Sequence, residues 1–114
     1  MGFKNLEKLG YSVKEVLVKE RTLLGEDIVS RRVVLIEGKD VVLRLSQLGS
    51  SRYRVVVVAN EDVRDVLENE GLDVSDVGEG TLLASASYGD LASASIALRK
   101  LASKLAMVKR SEEL

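Results

Sequence analysis

The sequence predicts an α+β two-layer sandwich: a mainly antiparallel sheet of about five strands, in β-meander then β-α-β-α order, with a short helix and a long C-terminal helix on one face. Three observations carry that prediction. Val33-Val34-Leu35-Ile36 and Val41-Val42-Leu43-Arg44-Leu45 flank Glu37-Gly38-Lys39-Asp40, two β-branched runs about a short glycine-containing turn. Tyr53-Arg54-Val55-Val56-Val57-Val58-Ala59 is a second β-rich run, and its consecutive apolar residues predict a central strand covered on both sides. Leu91, Ala94, Leu98, Leu101, Leu105 and Val108 recur at three- and four-residue steps, the apolar seam of a helix of about five turns.

The remaining elements follow in chain order. Residues 3–9 have room for one or two helical turns closed by Gly10. Val13 to Leu24 carries both a helical spacing (Leu6, Leu9, Val13, Val16, Glu20, Leu23) and a strand-like Val16-Leu17-Val18 between charges. A strand from Val13 is the expectation, because the hairpins that follow need a partner; Leu24-Gly25-Glu26-Asp27 would turn it. Gly49-Ser50-Ser51 is a second turn cluster. Asn60 is expected to cap a short helix with Glu61 and Asp62 in its first turn and Val63, Val66 and Leu67 as its apolar stripe, ending at Gly71. A polar loop is expected from Asp73 to Gly80, then a strand over Thr81–Ser87 with Leu82, Ala84 and Ala86 on one face. Asp90 would cap the last helix, whose Ala97 and Ala102 permit close approach to a sheet.

A chain of 114 residues is one domain, expected over residues 1–110 with a frayed polar tail at 111–114. With 46% hydrophobic and 31% charged residues it can supply both a core and a solvated surface. No apolar run is long enough to span a membrane, and Met1-Gly2-Phe3-Lys4-Asn5-Leu6 has neither a signal-peptide apolar region nor a myristoylation pattern, so the expectation is a cytoplasmic protein without a membrane partner. Four amides, no cysteine and abundant Val and Leu make a thermophile-like mixture, against which stands the absence of proline.

Composition also excludes chemistry. Without cysteine and histidine there is no disulfide framework, thiol nucleophile, cysteine zinc site or imidazole base. None of the twelve serines starts Ser-x-x-Lys or sits in Gly-x-Ser-x-Gly. Gly78-Glu79-Gly80-Thr81 opens a strand rather than a helix and carries an acid, which disfavours phosphate; Tyr88-Gly89-Asp90 opens a helix but already supplies its own carboxylate. No cofactor is implied and no catalytic residue is nominated.

Charge is uneven: residues 1–60 balance at +4, residues 61–90 at −8 and residues 91–114 at +3, for a net −1. The plain explanation is pairing across the folded surface. Three candidate surfaces remain. Ile96 and Met107, with Lys100 and Ser103 between them, lie nearly opposite the leucine seam, where a protein partner or a second copy could dock. Arg31, Arg32, Arg44, Arg52 and Arg54 lie in or beside strands and would form a phosphate-binding patch if register gathers them, pointing to RNA, although exposed aromatics for base stacking are scarce. Otherwise these arginines pair with Glu37, Asp40 or the acidic 61–79 segment. Glu61, Asp65 and Glu68, spaced to share one side of a helix, are the candidate metal ligands for a metal-assisted enzyme. The absences favour a small non-enzymatic interaction protein, a homodimer or a subunit of a larger assembly, over either alternative.

Overall fold

The computed structural model describes residues 3–21, 28–49 and 51–113. The turn expected at Leu24–Asp27 and Ser50 of the second turn cluster lie outside them. A 3-10 turn (Lys4–Leu9) ends at Gly10 and leads into β1 (Ser12–Arg21), β2 (Ile28–Gly38), β3 (Val41–Gly49) and β4 (Arg52–Asn60). A 3-10 turn (Glu61–Val63) opens directly into helix α1 (Arg64–Asn69), and β5 (Asp73–Gly78), β6 (Thr81–Tyr88) and helix α2 (Leu91–Glu113) complete the chain. All neighbouring strands are antiparallel, in the order β1-β2-β3-β4-β6-β5.

Six strands form where about five were expected, because residues 73–78 are not loop. Their polar sequence suits an edge strand that borrows its backbone bonds from one neighbour, β6. The hairpin is closed by Glu79 and Gly80, both in the left-handed region (φ 57° and 75°), the pair of positive φ values that a tight two-residue hairpin turn requires. The Asp76 carboxylate accepts the Gly78 N–H at 2.8 Å and fixes the entry to this turn.

One face of the sheet carries the core. Val34 and Ile36 of β2, Leu43 and Leu45 of β3, Tyr53, Val55 and Val57 of β4, and Leu82 and Ala84 of β6 all point to it and are buried. Against them lie Ala94, Leu98, Leu101, Ala102 and Leu105 of α2, Val63 and Leu67 from the α1 segment, and Phe3 and Leu6 of the first turn. The three-four seam read from sequence is therefore the buried stripe of α2, with Leu91 and Val108 at its half-buried ends. α1 stops as expected: Gly71 N–H reaches the Glu68 carbonyl, Leu72 N–H reaches the Leu67 carbonyl, and Leu72 folds back into the core. Asn60 stands before the 3-10 turn in extended conformation and makes no side-chain cap bond, contrary to expectation; the helix begins at Arg64, too far along the chain for Asn60 to reach its first free N–H groups. Asp90 does cap α2, accepting from the Ser93 N–H at 2.7 Å and its hydroxyl at 3.0 Å, and these bonds hold its carboxyl below the usual range.

Ser95 is the one buried polar residue of this layer among the described residues, and its hydroxyl has no hydrogen-bond partner. A buried unpaired hydroxyl costs free energy, and alanine is the better helix former. Ser95→Ala is expected to stabilise the fold by about 1 kcal/mol, read as a raised urea midpoint with an unchanged m-value.

The molecule is elongated, 55 × 29 × 23 Å. β3 begins to pair with β2 only at Val33, so among the described residues positions 28–32 of β2 pair with β1 alone, as a two-stranded ribbon.

Candidate functional site

The helices and the first turn all pack on one side of the sheet, which leaves the other side bare. β4 is central, as its sequence implies, but it is covered on one side only: Val55 and Val57 are buried, Val56 is half-buried, and Val58 is exposed. Register then aligns the outward residues in rows. Val42 of β3 stands opposite Val58 of β4, which stands opposite Leu83 of β6, and these three are 37%, 38% and 40% exposed. The adjacent row runs Lys14, Leu35, Arg44, Val56 and Ser85. A third runs Val16, Val33, Ser46, Arg54 and Ser87. A contiguous aliphatic row thus crosses three central strands toward one end of an open sheet face, with the cation-bearing rows on one flank and Asn60 and Thr81 on the other. The sequence-level reading missed Val42, Val58 and Leu83; the polar residues alternating with buried ones in β3 and β6 were the available signal for a face without a cover.

The arginines divide between the two faces. Arg44, Arg52 and Arg54 are exposed on the bare face, and Arg31, opposite Val18, is on the same side. Arg32 is one residue out of phase with Arg31 and stands opposite Leu17 on the other face, so it does not join the patch. Among the described residues Arg32, Arg44, Arg52 and Arg54 do not make the expected ion pairs with the acidic segment. Three of its acids have other partners: Arg64 binds Glu61 at 2.6 Å and approaches Glu68 at 3.6 Å, while Glu70 is held by Lys104 and, at 3.5 Å, by Lys100. Among the described residues Arg44, Arg52 and Arg54 take part in no ion pair.

The same bridges account for the candidate metal ligands. The Arg64 guanidinium occupies the position between Glu61 and Glu68 that a cation would need; its hydrogen bond lowers the Glu61 pKa and raises its own. Asp65 is exposed and outside this pair, and the described residues contain no group of three or more acids arranged for a metal ion. Glu70 is lowered chiefly by the hydrogen bond from Lys104, a clamp between the end of α1 and the middle of α2. The phenols are shifted the other way. Burial pushes Tyr11 up to about 12, and burial followed by the nearby Glu70 charge raises Tyr88, so neither is primed as a base near neutrality.

The back of α2 is as the sequence implies in one respect: Ile96 and Met107 are exposed, about 16 Å apart along the helix. Lys100 between them is already engaged with Glu70, so this line is two separate apolar side chains about a salt bridge and not a continuous apolar stripe. No helix among the described residues is long and apolar enough to cross a membrane. No family model, curated protein or solved structure matches the chain.

Proposed function

We propose that this is a non-enzymatic interaction protein that binds a protein partner through its open sheet face. One observation carries the reading: the row Val42, Val58, Leu83 lies exposed across three central strands, where a two-layer domain working alone would gain by polar residues. The partner's chemistry follows from the flanks. Lys14, Arg44, Arg52 and Arg54 outnumber Glu37 and Asp73 on this face, so the complementary surface is apolar at its centre and acidic at its rim. Lys100 has its own carboxylate partner, which favours the sheet over the Ile96–Met107 side of α2 as the docking surface.

RNA binding is the second reading, because the same register gathers Arg44, Arg52 and Arg54 without ion-pair partners. Against it, Tyr11 and Tyr53 are buried on the opposite side of the sheet, Tyr88 points the same way, and no aromatic residue stands on the bare face for base stacking.

A photo-crosslinking residue installed at position 58, irradiated in the native cell, tests both. The expected result is one discrete protein adduct that is lost in the Arg44→Glu/Arg54→Glu variant and absent when the crosslinker is moved to position 107. An RNA adduct that disperses with salt and disappears in Arg52→Glu/Arg54→Glu would favour the second reading. Adducts from position 107 and none from position 58 would overturn the sheet-face reading.

A further inference from the structure

The two edges of the sheet are built differently. β5 has the ordinary protections: six residues, Asp73 and Asp76 along it, and a register irregularity between Asp76 and Gly78. β1 has ten residues in continuous register with β2 and presents Val16, Leu17 and Val18 in succession, 52%, 63% and 39% exposed. Aliphatic residues are therefore open on both sides of an edge strand whose outer N–H and C=O groups have no strand beside them among the described residues. Such an edge is a template for another strand, and its exposed Lys14, Glu15 and Lys19 restrict it to a strand whose charges match.

The residues around it say which strand. From Lys14 the sequence reads Lys-Glu-Val-Leu-Val-Lys-Glu, and it is complementary to itself when reversed. Set a second copy antiparallel about a two-fold axis at Leu17. Leu17 then meets Leu17, Val16 meets Val18, and Glu15 meets Lys19. Every opposed pair is apolar with apolar or acid with base. Moving the register by two residues in either direction, the smallest step that keeps the faces matched, sets Glu15 or Lys19 against Leu17. Among the described residues Lys14, Glu15 and Lys19 are in no ion pair within the chain, so their charges are available across such an axis. A groove of about 350 Å³ lined by Glu15, Val16, Leu17 and Arg32 runs along this strand, giving the partner's Leu17 and Lys19 space on the helix side.

We infer that two copies of the chain pair through β1 about a two-fold axis at Leu17, joining their six-stranded sheets into one continuous sheet with both helix layers on the same side. The assembly is isologous, so each substitution acts twice. It also sets two bare faces side by side as a single docking surface. The pairing uses the sheet edge and does not depend on the open face being a binding site.

Light scattering after size exclusion, across a concentration series, reads the mass directly. The wild type is expected at about twice its 12.4 kDa chain mass. Glu15→Lys sets lysine against Lys19 in both symmetric pairs, and Lys19→Glu sets glutamate against Glu15; each is expected to raise the dimer dissociation constant ~10-fold or more. The double variant Glu15→Lys/Lys19→Glu restores opposite charges and should recover the dimer, a rescue that a merely structural effect would not give. The natural chain has no cysteine, so Leu17→Cys supplies a single thiol that mild oxidation should convert to a covalent dimer, while Ile96→Cys should not. All these positions are exposed, and circular dichroism should show unchanged folding. A monomeric wild type at 0.5 mM (on the order of the highest concentration at which a specific edge pairing could be called weak), a dimer indifferent to the single reversals, or a double variant that stays dissociated would each overturn the pairing. A monomer that keeps its position-58 adduct refutes the edge pairing alone; a dimer without that adduct refutes only the sheet-face reading.

Discussion

Leu98→Ala is expected to cost about 3 kcal/mol, within the range of about 2–5 kcal/mol for truncating a fully buried leucine. Leu98 has no exposed surface and lies in the buried stripe of α2, with Ala94, Leu101, Ala102 and Leu105, against the leucines and valines of β3 and β4. The loss has two parts. Transfer free energy of the removed methyl groups disappears, and a cavity remains because a sheet on one side and a helix backbone on the other cannot collapse into it. A domain of this size has a total stability of order 5–15 kcal/mol, so the melting temperature should fall by roughly 10–20 °C. Ile96→Ala, two residues earlier on the exposed side of the same helix, should change stability by less than about 0.5 kcal/mol. Thermal unfolding of the two variants by circular dichroism makes the comparison; equal losses would mean that α2 does not present its 94-98-101-105 side to the sheet.

That contrast also marks where the sequence was readable. The seam of α2 and the 33–45 hairpin are local patterns: side-chain periodicity within one element states which side is buried, and the structure uses it as stated. β5 was not legible, because Asp73-Val74-Ser75-Asp76 has neither the β-branched density nor the alternation of an interior strand; it is a strand because β6 lies beside it. The bare face was hidden for a related reason. An apolar run such as Val55–Val58 reports that water is unfavourable on both sides, and it cannot distinguish a cover supplied by the same chain from one supplied by a partner. Among the candidate arginines, Arg31 and Arg32 are consecutive and take opposite faces of β2 whatever the register; the missing quantity was the register that sets Arg44 and Arg54 on the same face as Arg31. Charge pairing was foreseen in kind but not in partners, since Glu70 finds Lys100 and Lys104 some thirty residues on, a contact that exists only once α2 lies across α1. The self-complementary stretch 14–20 was legible throughout; what gives it meaning is that β1 stands at one edge of the strand order.

Raising the pH from 10 to beyond 12 is expected to remove about 3 kcal/mol of stability through one side chain, Tyr11. Its hydroxyl donates to the Ala102 carbonyl of α2 at 2.7 Å, and burial pushes its pKa from 10.0 up to about 12. The folded state thus holds the proton more tightly than the unfolded chain does. The associated stability is complete below pH 10 and falls as the unfolded state ionises, reaching its full loss once pH passes the folded value; two pKa units correspond to about 3 kcal/mol. Gly38 is part of the same arrangement. A Cβ there would lie 2.6 Å from the Tyr11 ring, so glycine at this position leaves the ring its place against β2 while its hydroxyl reaches the helix. Gly38→Ala should displace the ring and cost about 1–3 kcal/mol at neutral pH. Tyr11→Phe keeps the ring, loses the hydrogen bond and should cost about 1 kcal/mol at pH 7. Above pH 10 the phenylalanine variant no longer shares the alkaline loss, so its stability curve should cross that of the wild type before pH 12. Urea denaturation of the two proteins at pH 7, 10 and 12 measures this. Parallel curves would mean that the Tyr11 hydroxyl ionises freely, and that the N-terminal segment is not fastened to the middle of α2 by that bond.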